Sequence, residues 1–175
     1  VFAGIIFGAF ALFFSVTTHR LQIFFTKIFS SLPLRAFMGG CILVILYLGC
    51  DLLRFSGLGI ESISGAFRET EHWTTPLIKS LLTSLTLASG FKGGEFVPLV
   101  FIGATLGSSL AILLPSALSL LSALGCVAVF AGAAHFPISC SIWAIEMFGM
   151  AIFPYALIVC LISYRIIPRK YGIYS

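Results

Sequence analysis

Charged residues are scarce in this sequence. Only 9% of its 175 residues are Asp, Glu, Lys or Arg, whereas an ordinary soluble domain has about a quarter. Between Phe96 and Tyr164, a stretch of about 70 residues, Glu146 is the single residue of this kind. Such a composition, with a mean hydropathy of +1.13, excludes a soluble globular domain and indicates an integral membrane protein surrounded by the lipid bilayer.

The sequence also lacks the patterns of an enzyme or a metalloprotein. It has no nucleophile and base at motif spacing and no nucleotide-binding glycine loop. Its five cysteines form no C-x-x-C pair and have no histidine cluster beside them, so we interpret them as packing residues. We expect no catalytic residues, no metal and no cofactor. The net charge of +4 predicts no nucleic-acid partner, because the basic residues lie at the edges of apolar segments.

Apolar runs of unequal length organise the chain. Residues 1–29 predict one long tilted helix, and residues 36–50 predict a second helix that forms a hairpin with it. Residues 51–75 are polar around a short apolar piece at 59–67, which favours a re-entrant or interfacial helix. Further helical runs cover residues 74–87, 96–114, 116–132, 138–147 and 155–167. The run 96–114 is long enough to span a bilayer, and Pro115 is expected to end it.

Several of these pieces are broken by Gly or Pro and are too short to cross a membrane alone. Irregular backbone at membrane depth is tolerated where it lines a cavity or is buried in protein. We therefore expect an all-α integral membrane fold with tilted and discontinuous helices, forming one transmembrane domain over residues 1–175 without a soluble domain. The first residues lack an initiator Met and a cleavage site, so we expect the sequence to begin within a longer protein.

Residues 93–98 read Gly-Gly-Glu-Phe-Val-Pro and contain the pattern G-x-F-x-P. Residues 102–107 continue it as Ile-Gly-Ala-Thr-Leu-Gly, residues 131–137 and 145–147 supply a small-residue helix, a break before Pro and an acid, and residues 172–174 read Gly-Ile-Tyr. Together these motifs resemble the CLC family of anion channels and anion/proton antiporters. The resemblance implies the carboxyl-terminal half of the fold, the second of two inverted repeats.

That resemblance also implies partners and a location. They are halide anions, F⁻ or Cl⁻, with H⁺ in some members, together with the first half of the same fold and a second copy in a homodimer. A multi-pass protein of the bacterial inner membrane is expected. The serine-bearing loop and the loop with the external gating glutamate belong to the first repeat, and no match to either is found among these residues.

The glycines at 93 and 94 allow the backbone to approach a ligand, and the helix that begins near Glu95 and Phe96 offers unpaired N–H groups at its positive end. Backbone donors suit a permeating anion, which binds and leaves again. The resemblance implies that the N–H groups of Glu95 and Phe96 and the hydroxyl group of Tyr174 form the central anion site. Gly94, Glu95, Phe96 and Tyr174 are therefore the candidate anion-binding residues.

Glu95 departs from the usual chloride-type motif, and Gly-Gly-Glu resembles the fluoride/proton antiporter branch. An ionised carboxylate there would repel a halide and a protonated one would admit it, so Glu95 is a candidate gate. The alternative is an ordinary acid in the first turn of a helix. Glu146, the other acid in an apolar segment, is interpreted as a structural hydrogen-bonding residue, with a proton-carrying role as the alternative.

The preferred prediction is halide transport of the CLC type, with fluoride/proton antiport ahead of other modes. A chloride channel or a chloride/proton antiporter is the close alternative. The third possibility, from a different class, is an inactive half-fold fragment with only a structural role. An enzyme is not expected.

Overall fold

The computed structural model describes residues 1–91, 93–113 and 117–173, with the backbone alone at Arg169. These residues form eight α-helices and no β-strand, which confirms the predicted all-α fold. The helices are α1 (Phe2–Ile28), α2 (Leu32–Gly49), α3 (Ile60–Gly65), α4 (Thr74–Ala88), α5 (Phe96–Leu110), α6 (Leu118–Ala134), α7 (Pro137–Phe148) and α8 (Phe153–Ile166). Short 3₁₀ turns cover Leu53–Phe55, Met150–Ile152 and Arg169–Tyr171.

Two helices, α1 and α2, are long and apolar enough to cross a membrane. The prediction of a spanning helix over 96–114 was wrong, because α5 has only 15 residues. The N–H group of Ala111 is shared between the carbonyl groups of Gly107 and Ser108, and the next two N–H groups bond three residues back. The apolar run thus continues in tight turns after Leu110 instead of as α-helix. Pro115, the predicted stop, lies outside the described residues.

The predicted hairpin of the first two helices was also wrong. Phe29 and Ser31 have extended backbone conformations, so the chain turns away from α1, and α2 packs mainly against α4. The glycine face of α1 contacts α8 instead. A Cβ atom on Gly4 or Gly8 would meet the α8 backbone near Val159 and Ser163, as expected for small residues that let two helices approach closely.

The pair α5 and α6 forms the centre of the molecule. Phe101, Ile102, Val127 and Val129 are completely buried there, and α1, α4, α7 and α8 surround the pair. Burial of apolar side chains against neighbouring helices fixes the axis of α5. Its first turn, by contrast, is partly exposed, so the packing holds the start of α5 at the edge of the helical core.

The break predicted before Pro137 is present. His135 ends α6 with a φ of +64°, a left-handed conformation that stops a helix, and Pro137 is the first residue of α7. Proline suits that position because its missing N–H group has no partner in the first turn of a helix. The 12 residues of α7 are too few to span a bilayer, as expected from the sequence.

Candidate functional site

The start of α5 presents backbone donors next to two glycines. The first bond within the helix runs from the Leu99 N–H group to the Glu95 carbonyl oxygen, at 3.2 Å. The N–H groups of Phe96 and Val97 precede that bond and have no partner in their own helix. A Cβ atom on Gly94 would meet nothing within 4 Å. This turn therefore leaves room for a ligand at the positive end of α5.

The ring of Phe96 holds this turn against the rest of the molecule. It packs edge-on against Phe130 of α6 at 4.9 Å and against Trp143 of α7 at 5.1 Å, between ring centroids. Two such aromatic contacts favour one orientation of the ring. The backbone donors at the start of α5 are thereby fixed relative to two other helices.

Glu95 is the N-cap residue of α5, yet its side chain forms no capping hydrogen bond with the helix. The residue is half-buried. Its Oε2 atom is buried, and no hydrogen-bond partner for it exists among the described residues. A carboxylate in such surroundings is energetically costly unless it takes up a proton or another group reaches it. This geometry differs from that of an ordinary capping acid in the first turn of a helix.

Glu95 also lines two polar cavities. The larger, of about 460 Å³, reaches toward Arg35 at the start of α2. The smaller, of about 200 Å³, reaches toward Lys170. Gln22 and Leu87 line both cavities together with Glu95. Glu95 is therefore next to two separate polar spaces that a small ion or a proton could occupy.

The smaller cavity is lined on one side by the polar stripe of α1, at Ser15, Thr18, His19 and Gln22. Thr18 Oγ1 lies 2.8 Å from Ser84 Oγ of α4. The buried Ser15 Oγ has no partner within the described part of the chain. The spacing i, i+3, i+4, i+7 of these residues marks one helix face, so the sequence carried a signal that pointed to this wall.

The other side of the smaller cavity is the segment that follows α8. Ile173 donates its N–H group to the Ala133 carbonyl oxygen at 2.9 Å, and the Tyr171 ring lies edge-on to His19, with 5.8 Å between centroids. Gly172 and Ile173 line the cavity that Glu95 also lines. Tyr174, a predicted anion ligand, lies outside the described residues, but the segment that leads to it is held next to the candidate gate.

The remaining predicted acid lies elsewhere. Glu146 is exposed on α7, lines neither of the two cavities, and its side chain forms no hydrogen bond or ion pair with any described residue. The hydrogen-bonding role expected for it within this chain is therefore not found in the described structure.

Lys79 of α4 is a buried cation that the sequence analysis did not single out. It is only 4% exposed and donates to the carbonyl oxygens of Phe55 and Gly57 at 2.8 and 2.9 Å. It also lies over the Phe101 ring, 4.9 Å from the centroid, and lines a cavity of about 200 Å³ that reaches Gly93 and Gly94. The sequence did contain a signal for this residue, because a single lysine within an apolar run is a candidate functional residue.

Comparisons with known proteins agree on one family. The family model described as "Voltage gated chloride channel" matches residues 1–167. A "Chloride/fluoride channel protein" of Pseudomonas syringae pv. tomato is 42% identical over 180 residues, which cover 99% of this chain and 40% of the relative. A "Putative ion-transport protein YfeO" of Salmonella typhimurium is 41% identical over 75 residues, 40% of this chain and 18% of the relative.

The fold is similar to a solved structure as well. The crystal structure of a CLC-type fluoride/proton antiporter superposes with a TM-score of 0.92 at 34% sequence identity, covering 98% of this chain and 44% of that protein. The chain thus spans less than half the length of the Pseudomonas relative and of the antiporter.

Proposed function

The chain belongs to the voltage-gated chloride channel (CLC) family, and on that basis we propose that it forms one half of a membrane protein that transports halide ions. The halide would bind at the start of α5, at the N–H groups of Glu95 and Phe96 that the resemblance implied, beside the N–H group of Val97, which also precedes the first bond within the helix. Backbone donors bind an anion without a fixed full charge, so the ion is also released. Tyr174 would add its hydroxyl group, as the resemblance implied.

The observation that carries this proposal is the position of Glu95. Its carboxyl group has one buried oxygen without a partner among the described residues, and the residue lines two polar cavities. An ionised carboxylate would exclude a halide from the adjoining donors, and a protonated one would admit it. Glu95 would therefore act as a gate that links the movement of a halide to that of a proton.

We prefer fluoride/proton antiport to chloride transport. The solved structure is of a fluoride/proton antiporter, the Pseudomonas relative carries fluoride and chloride in its name, and this chain has an acid at position 95. A channel is the second candidate, because the name of that relative describes a channel protein. The two modes differ in proton coupling, which is measurable.

The chain would act with two partners in a bacterial inner membrane. The first is the other half of the same fold, of which residues 1–175 would be the carboxyl-terminal half. The second is another copy of the protein. Ile138, Ile142 and Glu146 form an exposed stripe along α7 at four-residue spacing. A carboxylate facing lipid is costly, so this stripe is better covered by protein, and we assign it to a homodimer interface.

The decisive experiment uses a chimaera in which this chain replaces the matching segment of the Pseudomonas relative. The chimaera and the isolated chain are each reconstituted into liposomes, and fluoride, chloride and proton fluxes are recorded. We expect fluoride flux well above chloride flux, with protons moving in the opposite direction, and no selective flux from the isolated chain.

Each other result has a definite meaning. Equal chloride and fluoride throughput would contradict the fluoride preference. Halide flux without proton movement would favour the channel. Selective flux from the isolated chain would contradict the half-fold proposal, and an inactive chimaera with intact folding would favour a purely structural role.

A further inference from the structure

The cavity of about 460 Å³ beside Glu95 is lined by an arginine, Arg35, that has no role in the site described above. The cavity lies between the carboxyl-terminal end of α1, the start of α2 and the turn that precedes α5. Arg35 and Glu95 are both among its lining residues. The two side chains line one space without forming an ion pair, since Arg54 and Glu71 form the ion pair found among the described residues.

Contacts from two sides hold the Arg35 guanidinium group in place. Its Nη1 atom donates to Thr26 Oγ1 at 2.8 Å, and that hydroxyl group donates to the Gln22 carbonyl oxygen at 2.7 Å. On the other side lies Gly90, which has a φ of +88°. A Cβ atom built on Gly90 would lie 3.4 Å from Nε and Nη2, so this residue packs directly beside the guanidinium group.

No carboxylate among the described residues pairs with Arg35. Arginine has five N–H donors in a planar fork, and Nη1 is the one with a hydrogen bond to a described residue. The Nε atom is buried, without a partner in the described ranges. A half-buried guanidinium group that lacks a counter-ion among its neighbours attracts an anion.

We propose that Arg35 forms a second halide-binding site, an entry site from which the ion moves to the backbone N–H groups at the start of α5. The inference rests on the proposed transport function, because the anion is taken to be the transported one. The bound ion would be a small inorganic anion in contact with the guanidinium fork and with polar groups of the cavity wall such as Gln22 and Thr26. The entry site raises the local halide concentration beside the gate and leaves the passage past the gate unchanged.

The transport test compares Arg35→Gln and Arg35→Lys in the chimaera with Lys27→Gln. Lys27 is an exposed cation in the last turn of α1 and lines none of the cavities described here, so it controls for surface charge. We expect Arg35→Gln to raise the KM for halide roughly three- to tenfold, the range for one partly solvated charge contact. The maximal rate should stay unchanged, Arg35→Lys should recover part of the loss, and Lys27→Gln should match the wild type.

A second measurement locates the ion directly and needs no transport. Crystals of the chimaera grown with bromide should show an anomalous peak within hydrogen-bonding distance of the Arg35 guanidinium group, and crystals of the Arg35→Gln variant should lack it. If no variant carries halide at all, the transport proposal fails, and the bromide peak alone decides the entry site.

Three results would overturn the entry site. The first is an unchanged KM in Arg35→Gln. The second is the absence of a bromide peak at the wild-type guanidinium group. The third is a carboxylate from the other half of the fold bound to the Arg35 guanidinium group. In that case Arg35→Gln and Arg35→Lys would both lower the melting temperature, and neither would change KM independently of the maximal rate.

Discussion

Gly103 of α5 and Gly125 of α6 face each other backbone to backbone: a Cβ atom on either one would collide with the carbonyl oxygen of the other. Gly107, one turn further along α5, meets the carbonyl group of Leu121 in the same way. Helices in lipid gain stability from such close approach, because burial from water contributes little between them. The contact sets the position of α5 and so of the donors at its first turn.

Substitution of Gly103 by Ala should therefore destabilise the fold. The added methyl group would force α5 and α6 apart, at a cost of about 1–3 kcal/mol for an overpacked core. Thermal unfolding of the chimaera in detergent measures the effect. Gly49→Ala is the matched control, since a Cβ atom at Gly49 meets nothing within 4 Å. Equal melting temperatures for the two variants would contradict this account of the helix pair.

The Glu95→Gln variant should lose proton coupling. The neutral amide keeps the size of the side chain but carries neither the repelling charge nor an exchangeable acid proton. We expect proton counterflow to fall to the level of protein-free liposomes while halide flux continues. Halide flux of the wild type should rise as the pH falls, because protonation removes the repulsion, and that of the variant should not vary with pH.

Glu61→Gln supplies the matched control for that experiment. Glu61 is an exposed acid on α3 that lines none of the cavities next to Glu95. The control should retain wild-type coupling and wild-type pH dependence. Undiminished proton counterflow in Glu95→Gln would rule out the gating role.

Lys79→Met should lower stability and leave ion selectivity alone. The substitution keeps much of the apolar stem but removes two charge-assisted hydrogen bonds, and the carbonyl groups of Phe55 and Gly57 lose those donors. Together these changes should cost about 2–4 kcal/mol. Thermal unfolding checks the loss against Lys27→Met, an exposed lysine that should tolerate the change. A fluoride-to-chloride ratio altered in Lys79→Met would show instead that this cation acts on the permeating ion.

Ser108, near the end of α5, is hydrogen-bonded to the polar loop that precedes α4, and we expect these bonds to stabilise that loop. Its hydroxyl group donates to the Glu69 carbonyl oxygen at 2.7 Å and accepts from the Glu71 N–H group at 2.9 Å. Removing both bonds in Ser108→Ala should cost about 1–2 kcal/mol. Hydrogen exchange should become faster at residues 69–72, and the exposed Ser119→Ala should leave those rates unchanged. Unaltered exchange in Ser108→Ala would mean that other contacts hold the loop.

The homodimer proposal predicts a cross-link on α7. Ile142→Cys should form a disulfide between two copies in the membrane, in a background where the exposed Cys41 and Cys50 are replaced by Ser. Phe37→Cys on the exposed face of α2 should not form one. Cross-linking at position 37 and none at position 142 would place the interface elsewhere.

Much of this organisation could be predicted from the sequence because composition and helix breaks act locally. The scarcity of charged residues indicated a membrane protein. The break predicted before Pro137 is where α6 ends, at the left-handed residue His135. The hairpin of α1 and α2 could not be predicted in the same way. Which face of a helix meets which neighbour depends on contacts between residues far apart in the chain, such as Gly8 with Ser163.

The sequence by itself determined the solvent, the helical class, the family motif and the unusual acid at Glu95. Only the tertiary structure placed that acid beside two cavities, one lined by Arg35 and the other by the segment after α8. The physical reason is that these groups come from segments more than 50 residues apart, and helix packing alone brings them to one space. The motif at residues 93–98 identifies one part of the site, and the residues that line the rest of it come from distant segments of the folded chain.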